Sequence, residues 1–353
     1  MSGQLKTYGF INAKIRARLG KLLSQEQFTS LMKCSSIEEV IASLKTSEYE
    51  EHLNHYARTG DVRAVEFALF VHEIETVHGL LKHLTGASVE FVRVLILRYE
   101  VDLVKNALRF WFDRNIRGRT TEGNAYIYSE RLVHDVDMDG IMNARDNDQL
   151  LEALEGTPYF EMVRRNIDMV RTDKNIFGLE LELDSYFYKR LFEQIKKLSR
   201  TDRAVAERII RVEVDLQNID RIVRFVSFYG NETRSRYSVF LPGGSIDSTV
   251  LREAYIQTGA EEALSVLLSN SYTSYKAFTG EHHSNPYARL HLVEGLLRQI
   301  LNDELDRLLR GYPFTIGTVI AYVFLKRREI ETLIRVINSK YYGMSEDKIR
   351  EVL

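Results

Sequence analysis

Apolar residues recur every three to five positions along most of the chain, which is the spacing of one face of an α-helix. The clearest case runs from Leu292 to Leu309, where leucine and isoleucine are separated by charged residues over about five helical turns. Phe187, Leu191, Ile195 and Leu198 form a second stripe of this kind. No segment has the sustained apolar–polar alternation and the hairpin turn pairs that are typical of strands. The pattern therefore predicts an all-α protein.

Polar residues and glycines mark where several of these helices should begin and end. Ser24 stands just before a Glu–Gln pair, and Ser35 precedes Glu38 by three residues, which is the spacing of a capping box. Ser345, followed by two acidic residues, predicts the start of a last short helix. Helix ends are predicted at Gly230, Gly280 and Gly343.

One short pattern occurs three times at nearly equal spacing. Each copy has a polar start, then a leucine, and a tyrosine five residues later: Leu44 and Tyr49, Leu154 and Tyr159, Leu267 and Tyr272. The leucines are separated by 110 residues (154 − 44) and then by 113 (267 − 154), and the tyrosines keep both intervals. A fixed period indicates a duplicated structural unit. We therefore expect three related helical bundles, at residues 1–118, 119–231 and 232–353, with the N-terminal helix packing on the third.

A second repeated element supports this division. The segment from Arg98 to Leu103 matches the segment from Arg211 to Leu216 at an offset of 113 (211 − 98), and a looser copy runs from Glu329 to Leu333. The two acidic residues in each copy are two positions apart, so they lie on different faces of a helix. One should face solvent or a neighbouring helix and the other an arginine. A structural ion pair is favoured over a catalytic pair, since catalytic residues are not expected in equivalent copies.

Composition and charge exclude several classes of protein. The chain has 353 residues, 44% of them apolar, only four prolines and a net charge of −2, which suits a folded helical protein without a general affinity for nucleic acid or anionic lipid. The single cysteine, Cys34, excludes an intrachain disulfide and a cysteine zinc cluster. The best apolar run, Phe314 to Leu325, has 12 residues, whereas a membrane-spanning helix needs about 20.

No set of residues has the spacing of a cofactor or nucleotide site. Gly20–Lys21 lacks the first glycine of a phosphate-binding loop, so direct nucleotide binding is not expected. His52 and His55 share a helix face but lack further ligands, which favours solvated positions over a metal site. His72 and His78 are six residues apart, whereas a zinc-protease pair is four apart. The short basic run Lys326–Arg328 has no interleaved aromatics, so nucleic-acid binding is not indicated.

The segment from Asp135 to Asp146 is the best metal-site candidate. It has acids at positions 1, 3 and 5 and glycine at position 6 of an EF-hand loop, but Asp146 replaces the longer glutamate at position 12. The corresponding part of the third repeat, Ser248 to Arg252, has no acidic cluster and has the pattern of a helix start. Acidic residues at a helix N-terminus are favoured by capping and by the helix dipole. We therefore expect a helix start here rather than a calcium site.

Several segments in order along the chain resemble the C subunit of the rotary V/A-type ATPases, the family of the eukaryotic d subunit. They are Tyr8–Arg18, Gly243–Ile246, Pro313–Tyr322, Leu333–Ile337 and Lys340–Gly343. The resemblance covers essentially the whole chain. It is weaker in the middle repeat, where the acidic run that begins at Asp135 replaces a more usual Pro/Gly turn.

The resemblance implies a non-catalytic, funnel-shaped subunit made of three helical bundles around a pseudo-threefold axis. Such a subunit is peripheral and lies on the cytoplasmic face of the membrane proteolipid ring. It receives the central-stalk rotor subunits of the D and F types and passes torque between ring and stalk. The coupled ion, proton or sodium, and the direction of operation, synthase or pump, stay open. Arg16 and Arg18 are candidates for polar contacts of the opening helix, and a purely structural role for both stays open.

Two other functions stay open at this point. The first is an unrelated helical-repeat scaffold that binds other proteins. The second is an α-helical metal-dependent hydrolase that uses the Asp135–Asp146 segment.

Overall fold

The computed structural model describes residues 2–119, 128, 132–229, 240–275 and 286–344. Over these residues the chain forms fifteen α-helices and no strand, so the predicted all-α class is confirmed. The first eight helices are α1 (Ser2–Leu19), α2 (Gln25–Lys33), α3 (Ile37–Ser43), α4 (Glu50–Thr59), α5 (Val62–Leu81), α6 (Ala87–Asn115), α7 (Met138–Asn143) and α8 (Asn147–Ala153). The others are α9 (Phe160–Asp173), α10 (Phe177–Ile195), α11 (Arg200–Phe228), α12 (Ser248–Tyr255), α13 (Ala260–Ser271), α14 (Pro286–Arg310) and α15 (Gly317–Tyr341).

Two of the predicted helix boundaries agree with the structure. Ser24 is the N-cap of α2 and forms a full capping box, because its hydroxyl accepts from the Gln27 N–H and its own N–H donates to the Gln27 side chain. Gly343 follows the end of α15 with a φ of 66°, a left-handed conformation that glycine adopts without strain. The predicted boundaries at Gly230, Gly280 and Ser345 lie outside the described residues.

The capping box predicted for Ser35 and Glu38 is wrong by one residue. Ser36 is the N-cap of α3, and its hydroxyl accepts from the Glu39 N–H at 3.3 Å. The Glu39 carboxylate in turn accepts from the Ser35 N–H at 2.7 Å. A helix that begins at Ile37 directs this apolar side chain into the core, where it is 5% exposed. Core burial therefore selects the second of two adjacent serines.

Both predicted apolar stripes face the interior. In α14 the buried members are Leu296, Ile300 and Leu305. In α10 the stripe of Phe187, Leu191 and Ile195 is buried, and Leu198, just past the helix end, is buried as well. Transfer of such side chains from water contributes about 1.5–3 kcal/mol each, which is the main reason these helices hold their positions.

The chain forms two compact units. The first consists of Met1–Ile96, Asn124–Tyr128 and Leu308–Leu353, and the second of Leu97–Gly123 and Ser129–Arg307. In the first unit, α2, α3, α4 and α5 pack with α15 around one apolar core, and α1 also contacts α15. In the second unit, an apolar core lies between α11, α12, α13 and α14. The three-part division at residues 118 and 231 stays a prediction.

A buried ionic cluster joins three long helices of the second unit. Asp184 of α10 is 2% exposed and accepts from Arg98 at 3.1 Å, from Lys105 at 2.9 Å and from Arg221. Arg98 also pairs with Asp102 at 3.0 Å. Burial alone would raise the pKa of Asp184, but the three cations together lower it, so the carboxylate stays charged. A buried charge needs such pairing, and here it fixes α6, α10 and α11 to one another.

Among the described helices, none contains a stretch that is long and apolar enough to cross a bilayer.

Candidate functional site

The three repeated tyrosines share one structural role. Each donates a hydrogen bond from its hydroxyl to an acidic side chain of a long helix. Tyr159 bonds to Glu100 of α6 at 2.6 Å, and Tyr272 bonds to Asp215 of α11 at 2.9 Å. Tyr49 bonds to Glu329 of α15. We refer to these three groups as the tyrosine–carboxylate clusters.

The Glu100 cluster lies in the second unit and fixes the segment that precedes α7. Glu100 is fully buried, and one of its carboxylate oxygens accepts from the backbone N–H groups of Val133 at 2.6 Å and His134 at 2.8 Å. The other oxygen accepts from Tyr159 and lies 2.6 Å from the His134 ring. Burial and the adjacent carboxylate raise the pKa of Tyr159, so its hydroxyl stays protonated and remains a donor.

The Asp215 cluster repeats this arrangement before α12. Asp215 is fully buried, and one oxygen accepts from the N–H groups of Ser245 at 2.8 Å and Ile246 at 3.0 Å. Burial raises the pKa of Asp215, and the three hydrogen bonds it accepts act in the opposite direction. A Cβ atom on Gly244 would stand 2.2 Å from the Asp215 carboxylate, so this close approach requires glycine.

The Glu329 cluster lies in the first unit and differs by containing a buried lysine. One Glu329 oxygen accepts from the Leu23 N–H at 2.5 Å, just before α2, and the other accepts from Tyr49. Lys326, whose side chain is fully buried, lies 3.0 Å from Glu329, donates to the Tyr49 hydroxyl at 2.6 Å and pairs with Glu48. The lysine thereby neutralises a carboxylate that would otherwise be costly to bury.

A histidine pair lies next to the Glu329 cluster. His52 Nε2 and His72 Nδ1 are 3.1 Å apart, and the His72 ring packs edge-on against Tyr49 at 5.7 Å. Burial, together with the nearby Lys326 and His52, lowers the pKa of His72 to about 4. The prediction that His52 is solvated is therefore wrong, because it is half-buried against His72, whereas His55 is exposed as expected.

The Glu329 and Glu100 clusters share one local backbone geometry. A hydroxyl two residues before each tyrosine accepts from the tyrosine N–H at 3.2 Å and donates to the carbonyl of the repeated leucine. The residues are Ser47 with Leu44 and Tyr49, and Thr157 with Leu154 and Tyr159. The same turn therefore delivers both tyrosines to their carboxylates.

The sequence alignment of the segment from Arg98 to Leu103 with the segment from Arg211 to Leu216 is wrong by two residues. It places Asp102 opposite Asp215, but the tyrosine partner is Glu100, and Asp102 pairs with Arg98 instead. The structural spacing is 115 residues (215 − 100) and then 114 (329 − 215). A signal for this was present, since Glu100 has the apolar Ile96 and Val104 four residues away on either side. The expected contact between one acid and an arginine holds for Asp102. Glu100, expected to face solvent or a neighbouring helix, instead accepts hydrogen bonds from Val133, His134 and Tyr159, which lie between helices.

The clusters are suited to anchoring rather than catalysis. Both carboxylate oxygens in each cluster already accept hydrogen bonds from the same chain, and each tyrosine pKa is raised rather than lowered. A nucleophile or general base needs a free lone pair within reach of a substrate. The clusters instead bind the segment before α2 to α15, the segment before α7 to α6 and the segment before α12 to α11.

The acidic segment from Asp135 to Asp146 contains the predicted helix start and a second one. Asp137 is the N-cap of α7 and accepts from the Gly140 N–H at 2.8 Å. Asp146 is the N-cap of α8 and accepts from the Gln149 N–H at 2.9 Å. Within the part of the chain that the structure describes, no three His, Cys, Asp or Glu side chains converge as a metal site would require.

Arg16 and Arg18 both make contacts within the first unit. Arg16 is exposed and donates to the Leu309 carbonyl at 2.5 Å. Arg18 is half-buried, lies over the Tyr322 ring at 5.8 Å and donates to the Thr76 carbonyl at 3.4 Å. Their role as contacts with partner proteins stays a prediction.

Together these features define an all-α protein whose recurring polar clusters hold loops against long helices. The chain matches the family model described as ATP synthase (C/AC39) subunit over residues 11–352, and it therefore belongs to that family. This membership confirms the predicted family and the predicted class, a non-catalytic subunit.

The chain is also similar to individual archaeal proteins over nearly its whole length. It is 26% identical over 348 residues to the A-type ATP synthase C subunit of Thermococcus gammatolerans, covering 98% of this chain and 89% of that protein. It is 23% identical over 352 residues to the C subunit of Methanocaldococcus jannaschii, covering 99% of this chain and 86% of that one. For the same protein of Thermococcus kodakarensis the identity is 24%, with coverage of 98% and 89%.

Proposed function

We propose that this chain is the central-rotor adaptor of a V/A-type rotary ATPase, where it links the membrane proteolipid ring to the central stalk. In this role it transmits torque and carries out no chemistry, while ATP turnover and proton or sodium transport take place in other subunits. The observation that carries the proposal is the family match over residues 11–352, together with relatives named as the C subunit of an A-type ATP synthase.

The tyrosine–carboxylate clusters support an adaptor because torque transmission requires helices that do not slide past one another. Each cluster combines a buried carboxylate, a protonated tyrosine and backbone N–H donors. Hydrogen bonds to a buried charged group contribute about 1.5–3 kcal/mol each, and their directionality restrains local rotation. Three such anchors fit three helical bundles around a pseudo-threefold axis, which would enclose a socket for the stalk.

The proposed partners are the D- and F-type stalk subunits on one side and the proteolipid ring on the other. The subunit would then lie at the cytoplasmic face of the membrane as a peripheral component. Arg16, which is exposed, is a candidate for a direct contact, whereas Arg18 is already half-buried against Tyr322. We propose the first as a partner contact and the second as a support for the opening helix.

The test is a binding experiment with both proposed partners. The tagged chain is mixed with purified D–F stalk subcomplex, with detergent-solubilised proteolipid ring, and with both together. We expect a complex in each case and a ternary complex in the last. Binding to neither partner would overturn the proposal and leave a helical scaffold for other proteins as the function.

A further inference from the structure

An open groove runs along the surface of the second unit. Its volume is about 780 Å³, and its walls come from α9, α10 and the start of α11, with the turn at Pro242 and Gly243 at one end. The groove is separate from the tyrosine–carboxylate clusters, whose carboxylates point into the protein core. It is also large enough for several side chains of a bound molecule, and nothing in the proposed anchoring role of the clusters accounts for it.

One face of α10 forms the length of this groove. Tyr186, Lys189, Phe192 and Lys196 follow one another at steps of three or four residues, so they lie on one side of the helix. With Glu182 at the other end, the face spans fourteen residue steps, or about 21 Å at 1.5 Å per residue. A groove of this length suits a helical or extended segment of a protein better than a compact small molecule.

The groove has a preformed aromatic floor. The Phe192 ring contacts the Arg211 guanidinium, which lies 5.9 Å from the ring centre, and packs closely on Gly243, where a Cβ would approach the ring to 2.3 Å. The Tyr186 ring packs edge-on against the buried Tyr159 at 5.9 Å. Rings fixed in this way offer apolar contact area to a partner at a low cost in conformational entropy.

The acidic side chains that line the groove have ion-pair partners, whereas two of its lysines have none within the described part of the chain. Each of the four glutamates that line it is already paired with an arginine: Glu161 with Arg164, Glu182 with Arg165, Glu193 with Arg190, and Glu207 with Arg211. Lys189 and Lys196 also line it, and their ammonium groups have no acidic partner among the described residues. The net effect is an apolar floor with two available positive charges on the rim.

We infer that this groove binds an acidic amphipathic segment of a partner subunit, with apolar side chains on Phe192 and Tyr186 and carboxylates at Lys189 and Lys196. The inference rests on the proposed function, because it assigns one docking surface to the same adaptor. Complementary charge at the rim selects an anionic partner and speeds its approach, while the aromatic floor supplies most of the binding energy.

Carbodiimide cross-linking tests the chemistry of the contact directly. The reagent joins a lysine amine to a carboxylate only when the two already lie within ion-pair distance. We would treat the purified whole complex and identify linked peptides by mass spectrometry. We expect cross-links from Lys189 or Lys196 to aspartate or glutamate of another subunit, and none from Lys174, an exposed lysine of the same unit outside the groove.

Two sets of variants control the experiment. Lys189→Arg with Lys196→Arg keeps the positive charge but cannot form the amide, so assembly should persist while the cross-link disappears. Lys189→Glu with Lys196→Glu should weaken binding of the partner subunits by about tenfold or more, and the loss should shrink at high salt. Lys174→Glu, the matched control, should leave binding within about twofold of the wild type.

The outcomes separate this inference from the proposed function. If the chain assembles with the ring and the stalk but Lys189 and Lys196 react with an amine acetylating reagent as fully as in the isolated chain, the groove is empty and only this inference fails. Cross-links from the groove glutamates to lysines of a partner subunit, with no effect of the Lys189→Glu and Lys196→Glu variants, would overturn it as well. If the chain joins neither partner, both the inference and the proposed function fail.

Discussion

Tyr49 donates a hydrogen bond to the carboxylate of Glu329, a residue 280 positions further along the chain. The corresponding tyrosines of the other two clusters find their carboxylates much closer in sequence, at separations of 59 for Tyr159 and 57 for Tyr272. In the first unit, α15 supplies the carboxylate and follows the tyrosine in the sequence. In the other two clusters, the helix that supplies the carboxylate, α6 or α11, precedes the tyrosine. If each cluster is counted as one structural repeat, the first repeat is therefore completed by a helix from the end of the chain.

Removing the charge of Glu329 should strongly destabilise the first unit. In Glu329→Gln, Glu48, whose side chain is 31% exposed, is the one acidic partner of the buried Lys326 that remains among the described residues. Breaking a buried charge pair in this way costs about 3 kcal/mol. Urea unfolding followed by far-UV circular dichroism, with hydrogen exchange of peptides from α2 and α15, measures the loss. Glu331→Gln on the same helix is the control, since that side chain is 55% exposed and should change stability by less than about 0.5 kcal/mol.

Removing the hydroxyl of Tyr159 should have a smaller effect on the second unit. Tyr159→Phe deletes one donor to Glu100, but the N–H groups of Val133 and His134 remain. We expect a loss of about 2 kcal/mol, which is typical of one hydrogen bond to a charged group. The fluorescence of Trp111, the single tryptophan, reports unfolding of this unit. Tyr186→Phe should be nearly neutral, because the Tyr186 hydroxyl has no hydrogen-bond partner among the residues described; an equal loss in both variants would contradict the role given to the cluster.

The features that could be predicted from the sequence are those that local spacing determines. The periodicity of apolar residues located α10 and α14, and the spacing of leucines and tyrosines located residues that are buried, among them Leu154 and Tyr159. Both signals depend on residues that are near one another or that repeat the same local turn.

The partners of those tyrosines could not be predicted in the same way. Whether Glu100 or Asp102 faces inward depends on the rotation of α6, which packing against other helices decides. Lys326 appeared in the sequence as one member of a short basic run, yet its side chain is fully buried. Burial of a lysine becomes understandable only when Glu329, Glu48 and Tyr49 are brought around it by tertiary structure.

The same glycine-to-alanine change should have opposite effects at two positions of the second unit. At Gly244 the new Cβ would meet the Asp215 carboxylate at 2.2 Å and displace it from the N–H groups it binds, so we expect a loss of about 2–4 kcal/mol. At Gly295, in the exposed middle of α14, nothing lies within 4 Å, and alanine should stabilise the helix by about 0.5–1 kcal/mol. Thermal unfolding of the two variants and of the wild type shows whether each substitution raises or lowers the stability. A destabilised Gly295→Ala or a neutral Gly244→Ala would contradict this account of the two sites.

The stability of the first unit should fall between pH 6.5 and pH 4 because of His72. Burial first, and then Lys326 and His52, lower the pKa of His72 from 6.5 to about 4, so the folded state favours the neutral ring. In this interval the unfolded chain binds a proton that the folded chain does not, and stability is lost as the pH falls. The stabilisation is fully present above pH 6.5. After allowance for solvent screening the loss is about 2 kcal/mol, because the ring is only partly buried.

Variants at two histidines test this pH dependence. His72→Phe should flatten the pH profile of unfolding between pH 4 and pH 6.5, because the group that titrates is removed while the ring packing against Tyr49 is largely kept. His55→Gln, at an exposed position on α4, should leave the profile of the wild type unchanged. Two-dimensional NMR of the histidine ring protons gives the pKa of His72 independently. A titration midpoint near 6.5, or an unchanged profile in His72→Phe, would show that the histidine pair does not link protonation to the stability of the Glu329 cluster.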